Sequence, residues 1–112
     1  MPIYRTSSVE DEPTIYLAHW SVRKTGDGTL HLVGVNLVTQ DGRVSTSVKQ
    51  FDTERRVALT ASGRRYELIG AGGYDADAEY VWNWAIRAWR IAVWTDVTAE
   101  LVPDWRHGLP AL

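Results

Sequence analysis

Acid–base or metal chemistry would need histidines and carboxylates that converge. His19, His31 and His107 fall in three different predicted elements, no pair has metal-ligand spacing, and there is no cysteine to complete a set. A tight turn centred on Gly26 and Asp27 would pair His31 with Val22, not with His19. Structural or surface roles are expected for all three, with no metal and no other cofactor. Asp75, Asp77 and Glu79 crowd the start of a predicted helix, and paired carboxylates can do acid–base work. Capping and the peptide dipoles already account for acids at that end. The run GAGGYD at 70–75 joins a predicted strand to that helix, where backbone amides can cradle phosphate. Acidic residues follow it, no lysine does, and no parallel βαβ unit surrounds it, so it reads as a turn. With no nucleophile–base or metal set to assemble, an enzyme is not expected.

Two residue sets suit binding instead. Arg55, Arg56, Arg64 and Arg65 fall in or beside two successive turns, with Tyr66 close by. Cations on phosphate and an aromatic ring on a base would make that edge a nucleic-acid contact. The plainer reading is a solvated edge, with Glu54 and Glu67 at hand, whose charges deter sheet-to-sheet pairing. The second set is the tryptophans, six in 112 residues, a side chain enriched in binding hot spots. Core packing accounts for Trp82 and Trp89 but less readily for Trp84, Trp94 and Trp105.

Four of those tryptophans lie in DADAEYVWNWAIRAWRIAVW, residues 75–94. At about 100° per residue, Ala78, Val81, Trp82, Ala85, Ile86, Ala88, Trp89, Ala92 and Val93 form one apolar face. Glu79, Asn83, Arg87 and Arg90 lie opposite, Trp94 falls among them, and Tyr80, Trp84 and Ile91 occupy one flank. The apolar arc spans roughly two thirds of the circumference, more than one sheet can cover. The flank therefore needs a second cover, either the tail (Trp105, Leu109 and Leu112 are suited) or another molecule. Asp75 is the expected N-cap, and a stop is expected near Thr95, because Asp96 and Glu100 would otherwise enter the buried arc.

Upstream, alternating segments and turn signals predict five short strands: 14–23, 30–39, 44–51, 56–60 and 65–69. In the first, Tyr16, Ala18, Trp20 and Val22 should share one side. TGDG at 25–28, Asp41-Gly42 and Ser62-Gly63 supply turns, and Gly34 suggests a bulge or bend. The expected fold is α+β: an antiparallel five-stranded meander, curved, packed by one long C-terminal amphipathic helix, with an irregular tail. The expected organisation is a single domain over 1–112, with a loose arm at 1–13, the meander at 14–69, the helix at 75–95 and the tail at 96–112.

Net charge is −2 and charged residues make up 23% of the chain, which argues against both a DNA-coating protein and an extreme acidic DNA mimic. Absent cysteines remove disulfide scaffolds and thiol nucleophiles. No signal-peptide pattern and no apolar run of membrane-spanning length is visible, so a soluble cytoplasmic protein is expected.

Residues 60–85 carry Ser62-Gly63-Arg64, Tyr66, Leu68, Gly70, Asp75 to Tyr80 and Val81-Trp82. This segment, about a quarter of the chain, resembles small bacterial proteins encoded near phage or plasmid genes. That group has no assigned mechanism, so no functional residues carry over. The resemblance implies a mobile-element context, in which small proteins bind host machines; anti-CRISPR inhibitors are one such class. The leading expectation is a non-enzymatic protein-binding module that masks a host surface, or its own copy, through Tyr80, Trp84, Ile91, Trp94 and Trp105. The alternative is a nucleic-acid-binding module using Arg55, Arg56, Arg64 and Arg65.

Overall fold

A computed structural model of the chain describes residues 8–110. Most of the arm expected at 1–13 lies outside these residues, as does Leu112. From Ser8 onward the arm is tied down: Glu12 N–H donates to the Ser8 carbonyl at 2.9 Å, and the Glu12 side chain accepts from Asn36.

The longest strand, β1 (Thr14–Thr25), is central because it pairs along both edges. One edge takes β2 (Leu30–Asn36), antiparallel through the TGDG turn, with Arg23 opposite His31, so the expected Val22 partner is off by one. The other edge is shared. Its first half takes β6 (Arg65–Leu68) in parallel, Ile15 opposite Tyr66, and its last residues take β7 (Trp94–Asp96) antiparallel. Beyond β2 lies β3 (Gly42–Val44); beyond β6 lie β5 (Val57–Thr60) and then β4 (Val48–Asp52). Among the described residues, seven strands thus form one mixed sheet, which corrects the antiparallel five-stranded meander. The predicted strand at 44–51 is two strands at opposite ends of the pairing order, and the end of the predicted helix is a strand.

Only residues 45–47 join β3 to β4. So short a link reaches at most about 14 Å, so the sheet must curl until its two edges nearly meet. The link is fastened to both sides: Ser45 N–H donates to Leu32 O at 2.8 Å, and Ala61 N–H donates to Ser47 O at 2.8 Å. Inside the curl lie Ile15, Leu17, Trp20, Val22, Leu32, Ala58, Tyr66 and Leu68. Arg43 on β3 crosses this interior to donate to the Tyr66 hydroxyl at 3.0 Å. Each large apolar side chain buried here contributes roughly 1.5–3 kcal/mol.

The inward residues of β1 do not alternate simply. Ile15 and Leu17 face the core, and so do Trp20 and Val22. Between Ala18 and Ser21 three steps on β1 face two on β2, and His19 takes a positive φ of 48°. This bulge switches the parity of the strand, so the expected grouping of Tyr16 and Ala18 with Trp20 and Val22 fails. Gly34 lies opposite it, where an added Cβ would come within 2.7 Å of the Ala18 carbonyl oxygen.

The helix α1 spans Ala76–Ala88, shorter than the expected 75–95. Asp75 caps it as predicted, accepting from Ala78 N–H at 3.2 Å. It ends because Arg90 adopts a left-handed φ of 56°: Arg90 N–H reaches back to Arg87 O and Ile91 N–H to Ile86 O. This is the two-bond stop that glycine usually makes. Ala78, Trp82 and Ala85 are its buried residues, and Ala78 and Trp82 form a second cluster with Val33 on the outer face of the sheet. Gly42, expected in a hairpin turn, lies in β3 under the first helical turn, where a Cβ would sit 2.6 Å from Asp77 backbone atoms. The chain actually reverses over residues 37–40.

A four-residue helix, α2 (Thr98–Leu101), follows β7. Val97, Val102 and Trp105 pack on the interior cluster, and Thr98 Oγ1 accepts from Val22 N–H at 2.9 Å. Among the described residues the tail thus closes the curled sheet, and Trp105 packs on the interior and not on the outer face of α1, contrary to the cover suggested for it. Leu109 remains exposed.

Candidate functional site

With one side of α1 on β2 and β3, its other side faces outward. Ala76, Asp77, Tyr80, Asn83, Trp84, Arg87 and Ala88 are all exposed. Tyr80 and Trp84, four residues apart and so neighbours on the helix surface, keep 55% and 46% of their area open. The remaining members of the predicted contact set separate. Ile91 lies past the helix end, half-buried against the Val33–Trp82 cluster. Trp94 is on β7, its ring edge-on to Trp82 at 5.4 Å. Trp105 belongs to the interior side.

Trp89, read as a core residue, instead caps the helix and is 45% exposed, its ring stacked on His31 at 4.9 Å. His31 Nδ1 lies 2.9 Å from the Ser45 carbonyl, so that nitrogen carries the proton. Beside it the Arg23 guanidinium packs against both the Trp82 and Trp94 rings, 5.4 and 5.0 Å from their centroids, and is held by both carboxylate oxygens of Glu79. Arg23 is 4% exposed. No sequence spacing signalled this cluster, because its members come from β1, β2, α1 and β7.

An adjoining cleft of about 300 Å³ runs between residues 25–27 and residues 89–93. The Thr25 hydroxyl, foremost, and the Thr29 backbone N–H donate to the Asp27 carboxylate and hold its pKa at about 2. A group so acidic is a poor base at neutral pH, since proton transfer favours a pKa near the working pH. Among the described residues no three His, Asp or Glu side chains converge on a metal site.

The four arginines also separate. Arg56 is 1% exposed, donating to Gly70 O at 3.1 Å and Asp104 O at 3.2 Å, with its charge over the Trp20 ring. Arg64 is buried, donates to Glu12 O at 3.1 Å, and has its pKa lowered by burial and by nearby Arg43. Arg55 and Arg65 are exposed, Arg65 beside Glu67 at 3.3 Å. The GAGGYD turn serves the interior: Gly70 O accepts from Trp20 Nε1 and from Arg56, and Gly72 N–H donates to Trp105 O.

No helix among the described residues is long and apolar enough to cross a membrane. Comparison with protein-family models, with curated proteins and with solved structures finds no match to this chain.

Proposed function

We propose that this chain is a protein-binding module without catalytic chemistry, acting by covering a protein surface with the outward face of α1. The observation that carries this reading is the course of the tail. Residues 97–105 pack on the far side of the sheet, so Tyr80 and Trp84 stay open to solvent. Large rigid aromatics lose little conformational entropy on docking and are enriched in binding hot spots. On the helix face the contact set narrows to these two: Ile91 and Trp105 already pack on the chain's own residues, and Trp94, 37% exposed, lies on β7 with one ring face toward Arg23. The likeness of residues 60–85 to mobile-element proteins makes bacterial defence complexes the partners to assay first. The nucleic-acid reading loses support, since burial of Arg56 and Arg64 leaves Arg55 and Arg65 as the exposed members of its set.

A photo-crosslinking residue at position 84, compared with one at Leu59 on the sheet, tests this in cells. A discrete protein adduct from position 84 alone is expected. Equal labelling from both positions, or none from 84, would refute the reading.

A further inference from the structure

We propose that the partner seated on this face is a second copy of the chain, with the two α1 helices antiparallel about a two-fold axis. The inference rests on the protein-binding reading of the same face and names its occupant. The order of outward residues carries it. From the N-terminal end they run Asp77, Tyr80, Trp84 and Arg87, and the level of Trp82 lies midway both between the two aromatics and between the two charges. With a rise of about 1.5 Å per residue, an axis at that level brings Tyr80 of each copy level with Trp84 of the other. The same operation brings each Asp77 level with the other copy's Arg87.

Such self-complementarity is what a two-fold interface requires, since one patch must match itself. A parallel pairing in the same register would instead set Asp77 against Asp77 and Arg87 against Arg87. The antiparallel arrangement also opposes the helix dipoles favourably. Ala76 and Ala88, exposed at the two ends of the face, are too small to hold the helices apart. Neither Asp77 nor Arg87 forms an ion pair among the described residues, so both are available to a partner.

Size sets the strength. Tyr80 and Trp84 are about half open, so at roughly 150–250 Å² per whole aromatic the four rings would bury on the order of 400 Å². That core falls short of the about 1,200 Å² at which stable interfaces begin. The dimer is therefore a weak, exchanging one with a micromolar or weaker Kd.

Sedimentation equilibrium from micromolar to near-millimolar concentration tests it, with circular dichroism confirming that each variant folds. Wild type should shift from monomer to dimer, and Trp84→Ala should weaken association at least about tenfold. Asp77→Arg and Arg87→Asp should each be monomeric alone, and mixing the two should restore a heterodimer, because both cross-pairs then attract. If Trp84→Ala does not fold, the charge variants decide the matter. A chain that stays monomeric throughout, or a dimer indifferent to both charge reversals, would overturn the inference. A monomer whose position 84 still crosslinks to a different protein would overturn it while leaving the protein-binding reading intact.

Discussion

The Arg23 guanidinium, on the central strand, grips both carboxylate oxygens of Glu79, on the helix. The pair is the polar fastening between α1 and β1: the arginine side chain is 5% exposed and the glutamate 21%. Ser21 Oγ accepts from Arg23 Nε at 3.2 Å, so all three guanidinium nitrogens are engaged.

Glu79→Ala should leave that guanidinium buried without its counter-charge. Removing one partner of a buried pair costs about 3–5 kcal/mol; the partial exposure of Glu79 puts the expected loss near the lower end. A urea unfolding series measures it, and a loss below about 1 kcal/mol would show that water replaces the carboxylate readily.

Arg90→Gly should raise stability. Its positive φ of 56° ends α1, and an L-residue pays about 1–2 kcal/mol for that conformation, which glycine escapes. Glycine's freer unfolded chain offsets part of this, so a gain of about 0.5–1 kcal/mol is expected. A thermal melt checks it, and an unchanged or lower Tm would be the contrary result.

Arg56→Ala and Arg55→Ala should differ sharply although they are neighbours. The first removes a buried cation donating to two carbonyls and should cost about 2–4 kcal/mol. The second removes a side chain that is 85% exposed and should change stability by no more than about 0.5 kcal/mol. Paired denaturation curves show the contrast; equal effects would contradict the burial assigned to Arg56.

Asp27→Asn should reveal a stabilisation that depends on acid. The folded-state pKa is about 2, lowered from 3.8, so the ionised form contributes fully above the unfolded value and the contribution fades as pH falls through the folded one. The wild-type advantage should hold steady above about pH 5 and disappear between about pH 4 and pH 2. Exchange of the Thr29 amide reads it, and an advantage that grows on acidification would contradict the direction of the shift.

Features settled within a few residues were legible in the sequence. The cap at Asp75, the turn at TGDG and the inward line of Ala78, Trp82 and Ala85 depend on local hydrogen bonds and helical period alone. The outward line of Tyr80 and Trp84 came from the same wheel. Its period could not tell that Trp89 and Val93 would be exposed, because the stop at Arg90 carries no glycine or proline to announce it.

Everything else needed distant parts of the chain to meet. The parallel pairing of β1 with β6 and the grouping of Arg23 with Glu79, Trp82 and Trp94 join residues far apart in sequence. Local propensity carries no record of such meetings. The fate of the four arginines followed suit: identical side chains became buried fasteners at 56 and 64 and solvated charges at 55 and 65. A residue's type limits which contacts it can make; burial and partners are chosen when the whole sheet curls shut, because only then does each side chain acquire its neighbours.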